Sequence, residues 1–213
     1  AREILKTLEE HQHVGRSSGA PDPKALDSCY FHLRRSYDKT YGGFGPAPKF
    51  PRPSVFSFLF RYWQRSGEEE ALEMALHTLR EMARGGMNDQ LGGGFHRYSV
   101  DERWFVPHFE KMLYDQAQLA VSYLEAFQIT QNESFARVAM DILDYVLRDL
   151  RHPSGGFFSA EDADSAIDAS DPHEKGEGAF YVWTHNELEE LLGPERAQEF
   201  ARAFGCRPGG NVD

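Results

Sequence analysis

Apolar side chains recur along this chain at the three- and four-residue spacing that places them on one face of an α-helix. They do so in five segments, which are 22–37, 55–62, 72–83, 112–127 and 135–150. Only a short polar break divides the second segment from the third, and the same holds for the fourth and fifth. Each of these two pairs predicts an antiparallel helical hairpin.

Capping signals mark where several of the helices begin. Asp22 is a suitable N-cap, and Pro23 fits the first helical position after it. Further along, Thr184 and Glu187 predict a capping box, and Pro194 opens a last helix. The pattern as a whole predicts an all-α protein.

A glycine-aromatic signature recurs between the predicted helices. Its copies are Gly42-Gly43-Phe44, Gly93-Gly94-Phe95, Gly155-Gly156-Phe157 and a weaker Gly178-Ala179-Phe180. The first three copies begin 51 and 62 residues apart, which is the period expected of stacked helical hairpins. The glycines and phenylalanines themselves are best explained as structural, since glycine punctuates tight turns. Their polar neighbours are candidates for function.

The balance of charge excludes some partners. The 213 residues carry a formal net charge of -11, whereas a sequence-independent nucleic-acid binder needs surplus Lys and Arg. Cys29 and Cys206 form neither a disulfide framework nor a CxxC pattern, and no apolar run approaches the roughly 20 residues of a bilayer span. We therefore expect a soluble, cytoplasmic protein that binds neither nucleic acid nor a membrane.

The stretch after the second signature mixes aromatic, basic and acidic residues. Pro107 is expected to begin a helix there, with His108, Lys111 and Asp115 on one face. Trp104 beside these charges is typical of a sugar site, because an indole stacks on a sugar's apolar face while charged groups bind its hydroxyls. The structural alternative is that the charges form ordinary i to i+4 pairs and that the tryptophan belongs to the core.

An acidic stretch follows the third signature. Its carboxylates of interest are Glu161, Asp162, Asp164 and Glu177, since paired carboxylates act as general acid and base in glycoside chemistry. The same residues suit a divalent cation, but their spacing lacks the glycine and closing glutamate of a calcium loop, so no metal site is expected. Lys49, in a rigid proline-rich turn, is a further candidate.

Several common signatures of catalysis are missing from the chain. It has no Gly-x-Ser-x-Gly elbow, no P-loop and no dinucleotide-binding glycine pattern. Phosphoryl transfer and hydride transfer are therefore not expected, and neither is a cofactor.

Five motifs, read together, carry a family resemblance. They are YGGFGPAPKFP at 41–51, GGFHRY at 93–98, VPHFEKMLYDQ at 106–116, GGFFSAEDADS at 155–165 and EGAFYVWT at 177–184. From about Pro23 to its end the chain resembles the spermatogenesis-associated, thioredoxin-domain-containing proteins and their bacterial relatives. In that family a thioredoxin-like domain precedes an (α/α)6 domain similar to N-acylglucosamine 2-epimerases and six-hairpin glycosidases.

The resemblance implies a domain organisation and a place for the site. Residues 1–21 would be the end of a helix and a linker from a missing N-terminal thioredoxin-like domain, which is also the expected protein partner. Residues 22–213 would be the first half of the (α/α)6 toroid, or barrel. The active site of the similar sugar enzymes lies in a funnel, where loops joining inner and outer helices meet.

The leading hypothesis is a sugar-binding barrel with epimerase, isomerase or glycosidase activity. The candidate catalytic residues are His108, Glu110, Glu161 and Asp162. The candidate ligand-binding residues are Lys49, Arg97, Tyr98, Trp104, Lys111, Tyr114, Asp115, Asp164 and Glu177. In an epimerase His108 would carry the proton, with Glu161 or Asp162 as its partner.

The rival hypothesis is a non-catalytic protein-interaction or redox-accessory scaffold for the thioredoxin-like domain. The two hypotheses differ in geometry. A sugar site requires Trp104, His108 and Asp162 to line one concavity, whereas a scaffold leaves them scattered.

Overall fold

Seven α-helices follow one another along residues 22–168, 170–207 and 209–210, the parts of the chain that the computed structural model describes. They are α1 (Lys24–Ser36), α2 (Pro53–Ser66), α3 (Glu69–Arg84), α4 (Leu113–Thr130), α5 (Glu133–Tyr145), α6 (His185–Leu192) and α7 (Pro194–Phe204). A π-helical turn, Val146–Leu150, continues α5. The expected linker at 1–21 lies outside the described residues.

Short strands pair in the loops between the helices. They are β1 (Tyr98–Ser99), β2 (Pro107–His108), β3 (Lys111–Met112), β4 (Ala160–Glu161), β5 (Asp164–Asp168) and β6 (Asp171–Glu177). Each strand pairs antiparallel with one other, β1 with β2, β3 with β4 and β5 with β6.

The predicted helix starts are largely confirmed. Helix α1 begins at Lys24, one residue later than expected, with Pro23 as its N-cap. The Asp22 carboxylate nevertheless accepts the Lys24 N–H at 2.9 Å. The capping box of Thr184 and Glu187 is present, and Pro194 begins α7.

Two helical hairpins build the core, as the hydrophobic spacing predicts. Helices α2 and α3 are joined by a tight turn, as are α4 and α5, and α2 packs against α4. Helix α4 has buried residues on several of its faces. They are Asp115, Gln116, Leu119, Ala120, Ser122, Tyr123 and Ala126. Helices α2 and α4 are therefore the inner pair, and their N-terminal ends meet the long glycine loops at one end of the molecule. Among the described helices none has the length and apolar character to cross a membrane.

The first glycine loop is fixed by a buried ion pair. The Asp38 carboxylate accepts the backbone N–H groups of Thr40 and Tyr41 on one oxygen and Lys49 Nζ, at 2.6 Å, on the other. Lys49 Nζ also donates to the Gly42 carbonyl at 2.8 Å, and the lysine is only 2% exposed.

The second glycine loop repeats this arrangement bond for bond. The Asp89 carboxylate accepts the N–H groups of Leu91 and Gly92 and then Lys111 Nζ at 2.7 Å. Lys111 Nζ also donates to the Gly93 carbonyl at 2.9 Å and is likewise 2% exposed. The internal repeat of the sequence is therefore a repeat of three-dimensional structure.

Each of these loops packs against the outer helix of the following hairpin. A Cβ added to Gly42 would lie 2.8 Å from Thr78 Cα in α3, and one added to Gly94 would lie 2.5 Å from the Tyr145 ring in α5. The third loop differs, because a Cβ on Gly155 or Gly156 would meet nothing within 4 Å.

The expected helix start at Pro107 is wrong. Pro107 and His108 form β2, Lys111 and Met112 form β3, and α4 begins only at Leu113. Pairing of β2 with β1 and of β3 with β4 satisfies this backbone and overrides the local preference for a helix. His108, Lys111 and Asp115 consequently do not share a helix face.

Candidate functional site at the loop end of the inner helices

Trp104 does not have the position expected of a sugar-stacking residue. Its side chain is 0% exposed and packs beside Gly43 and Gly85, while its indole N–H donates to the Tyr41 carbonyl at 2.8 Å. Its backbone φ of 63° is in the left-handed region. The ring pins the first glycine loop to the interior, where a ligand cannot stack on it.

Lys49 is likewise a structural residue rather than an exposed ligand-binding residue. Its ammonium group is enclosed by Asp38 and Gly42 and lies 5.6 Å from the centre of the Trp104 ring. Because Lys49 is only 2% exposed, a ligand cannot reach its ammonium group.

Four candidate residues do converge at the N-terminal end of α4. We call Arg97, Glu110, Tyr114 and Asp115 the arginine group. Arg97 Nε lies 3.3 Å from a Glu110 oxygen and Arg97 Nη1 lies 3.9 Å from an Asp115 oxygen, while the guanidinium donates to the Tyr114 hydroxyl. The Tyr114 side chain is exposed, so solvent reaches the group.

Asp115 has unusual acid-base properties within the arginine group. Burial raises the pKa of its carboxyl to about 6, Arg97 opposes that rise and Glu110 adds to it. A carboxyl that titrates close to neutral pH can both accept and donate a proton, as a general acid-base catalyst must.

A second set lies beside the first, and we call Tyr98, His108 and Glu177 the histidine group. Tyr98 and His108 lie opposite each other in the pairing of β1 with β2, and their rings stack with 4.9 Å between centroids. His108 Nδ1 lies 2.6 Å from a Glu177 oxygen. The expected partner of His108 was Glu161 or Asp162; the structure assigns Glu177 instead.

Glu161 belongs to a separate cleft of about 600 Å³. Its two carboxylate oxygens accept the hydroxyls of Tyr145 at 2.6 Å and Tyr181 at 3.1 Å. Burial, reinforced by Glu161, raises the pKa of both tyrosines, so they remain donors at neutral pH. Lys111 also lines this cleft. Its ammonium group donates a hydrogen bond to Asp89 and lies 4.4 Å from the centre of the Tyr145 ring.

The carboxylates of Asp162 and Asp164 take no part in the side-chain contacts of these three sets, although Asp164 lies opposite Glu177 in the pairing of β5 with β6. Both are exposed, and the Asp162 carboxylate accepts the Asp164 backbone N–H at 3.3 Å. Within the described ranges no three His, Cys, Asp or Glu side chains converge as a metal centre requires.

The expected concavity of Trp104, His108 and Asp162 is therefore not formed. Trp104 is interior, His108 belongs to the histidine group, and Asp162 is exposed between β4 and β5. This geometry counts against a sugar enzyme whose site is built from Trp104, His108 and Asp162. The arginine and histidine groups remain as the candidate site.

Asp38, Asp89 and Gln116 hold the glycine loops in place, although none of them is predicted to do so. Asp38 and Asp89 each precede their glycine pair by four residues, so the repeat itself contained a signal for the two ion pairs. Gln116, which bonds both the N–H and the carbonyl of Phe95, gave no signal, because its role depends on burial between distant segments.

No protein-family model matches the chain. Among curated proteins, spermatogenesis-associated protein 20 of Homo sapiens is 56% identical, over 86% of this chain and 25% of the relative. The chain is similar to part of spermatogenesis-associated protein 20.

Further relatives agree with this likeness. The Rattus norvegicus protein of the same name is 48% identical over 94% of this chain, and an uncharacterized Caenorhabditis elegans protein is 38% identical over 91%. The chain spans about a quarter of the length of the curated relatives that it matches.

Solved structures establish the fold. A sugar epimerase from a ruminal bacterium has a TM-score of 0.55 at 14% identity, over 84% of this chain and 53% of that chain. A family 76 glycoside hydrolase from a bovine Bacteroides thetaiotaomicron strain has a TM-score of 0.55 at 16% identity, over 84% of this chain and 40% of that chain. The chain is a partial (α/α)6 toroid of the six-hairpin glycosidase-like type, as expected from the sequence. At these identities the likeness concerns the fold alone.

Proposed function

We propose that this chain contributes to a carbohydrate-binding site, formed by the arginine and histidine groups at the loop end of the inner helices. The observation that carries the proposal is the convergence of Arg97, Glu110, Tyr114 and Asp115 at the start of α4. Guanidinium and carboxylate groups together offer donors and acceptors to sugar hydroxyls. The fold, shared with sugar epimerases and glycoside hydrolases, supports this class of ligand by analogy only.

The chemistry we propose for the site is proton transfer on a bound sugar, in an isomerisation, epimerisation or glycosidic cleavage. Asp115 is the proposed acid-base residue, because its pKa of about 6 suits proton transfer near neutral pH. His108, held by Glu177, is the proposed second proton carrier.

A thermal-shift screen against mono- and disaccharides and N-acetylated sugars tests the proposal. A ligand that binds only the native state raises its stability by mass action. We expect a saturable shift that Arg97→Met abolishes and that Arg137→Met, on the exposed face of α5, leaves unchanged. A shift equally retained in both variants would contradict this location of the site.

A non-catalytic scaffold for a thioredoxin-like domain is the second candidate function. The failure of Trp104, His108 and Asp162 to form one concavity favours it. It predicts no shift with any sugar and a saturable shift on addition of a thioredoxin-like domain.

A further inference from the structure

His96 directly precedes Arg97 in the chain, but its surroundings differ from those of the arginine group. Its side chain is 2% exposed and packs edge-on against Phe109 and Tyr181, with centroid distances of 5.3 and 4.8 Å. It also borders a hollow of about 290 Å³ between the loop that follows α3, the segment 105–109 and Trp183.

The hydrogen bonds of His96 determine which nitrogen faces this hollow. Nδ1 lies 3.0 Å from the Phe109 carbonyl, and because a carbonyl only accepts, Nδ1 carries the proton. Burial, helped by the nearby Lys111, lowers the pKa of His96 to about 4, so the ring is neutral near pH 7. Nε2 is then a hydrogen-bond acceptor with a free lone pair.

Nε2 has no hydrogen-bond partner among the described residues, although His96 is almost wholly buried. No side-chain nitrogen or oxygen in that part of the chain is both fully enclosed and unpaired. Nε2 must therefore reach open space, and the hollow is the space that His96 borders.

The remaining lining selects the chemistry of a ligand. Aromatic and aliphatic side chains make up most of it, and those that contribute are Leu91, Phe105, Val106, Pro107, Phe109 and Trp183. The charged group in the lining, Asp89, is neutralised by its ion pair with Lys111. Asn88 and Gln90 also belong to the lining, and their amide nitrogens already donate to the carbonyls of Ala83 and Gly85. The hollow thus offers a largely apolar, neutral surface on which His96 Nε2 is the most deeply buried side-chain acceptor.

We propose that this hollow is a binding site for a small, neutral aromatic molecule that carries one hydrogen-bond donor, which His96 Nε2 accepts. A volume of about 290 Å³ accommodates a single ring and lies just below the range of roughly 300–1,000 Å³ for small-molecule sites. The site uses none of the residues of the arginine or histidine groups and is independent of the function proposed above.

Phenol and toluene are matched probes, because they have nearly the same shape and only phenol has a donor. We expect phenol to bind saturably and about three- to tenfold more tightly than toluene, the factor that one net hydrogen bond supplies. In His96→Phe the preference for phenol is lost, whereas the control variant His152→Phe, in the third glycine loop, retains it. Equal affinities for the two probes in the native protein would overturn the proposal, as would an absence of saturable binding.

A second measurement on the native protein is independent of whether His96→Phe folds. In ¹⁵N spectra of the imidazole side chains, phenol is expected to shift the Nε2 signal of His96 more than its Nδ1 signal. Shifts confined to other histidines would contradict the proposed contact.

Discussion

Lys111→Met is the perturbation that examines the repeated ion pairs most sharply. Methionine keeps much of the aliphatic stem but removes the charge, so Asp89 loses its main partner. Removal of one partner from a buried pair is destabilising by about 3–5 kcal/mol. We expect about 3 kcal/mol here, because Asp89 keeps its bonds from the N–H groups of Leu91 and Gly92 and its side chain is 13% exposed.

The pH dependence gives this prediction a second signature. Burial alone would raise the pKa of Asp89, but the Lys111 hydrogen bond and the two backbone N–H groups lower it below its ordinary 3.8. An acid whose native pKa is depressed stabilises the fold above its unfolded pKa, and this contribution disappears as the pH falls through the native value. In Lys111→Met burial dominates and the native pKa of Asp89 rises above its ordinary value. The gap in stability between the two proteins therefore narrows as the pH falls through that raised pKa, and it continues to narrow down to the lowered pKa of the native protein.

Urea unfolding followed by far-UV circular dichroism at pH 7 and at acid pH measures both effects. Lys175→Met is the control, since that lysine is exposed on β6, and it should change the free energy of unfolding by less than about 0.5 kcal/mol. A Lys111→Met protein as stable as the native one at pH 7, or a gap that widens in acid, would refute the role assigned to the pair.

Three other predictions follow from the same structure. Trp104→Ala should reduce the free energy of unfolding by about 3–5 kcal/mol, as for other buried aromatics; a variant with unchanged urea midpoint would show that the ring is not part of the core. Because the native pKa of Asp115 is raised, native stability should fall as the pH rises from about 4 to 6; in Asp115→Asn urea titrations this trend should be weaker by up to about 3 kcal/mol, and parallel curves would contradict it. Gly94→Ala and Gly156→Ala both strain a positive φ, but only the first places a Cβ against Tyr145; Gly94→Ala should therefore have the lower melting temperature, and equal temperatures would count against tight docking of the second loop.

The helical hairpins could be predicted from the sequence because their determinants are local. Apolar spacing marked the buried faces of α2 to α5, and capping residues marked the start of α6 and α7. The strands around Pro107 could not be predicted in this way, since β2 and β3 exist only through pairing with β1 and β4. A proline after an irregular loop gives the same local signal whether it begins a helix or a short strand.

The sequence predicts several residues of the candidate site but not which of them contact one another. The stretch that contains Arg97, Glu110 and Asp115 was correctly recognised as unusual, and these residues do converge. Trp104 was assigned to the ligand because a sequence cannot distinguish a buried indole from one that lines an open site. The His108–Glu177 contact joins residues that are 69 positions apart, and that contact depends on how two loops pack together.

The most direct test of the proposed carbohydrate site is a backbone amide NMR titration of the protein with the sugar that gives the largest thermal shift. We expect saturable shifts concentrated at Arg97, Glu110, Tyr114 and Asp115. Shifts confined to the Glu161 cleft, or none at saturating sugar, would contradict it.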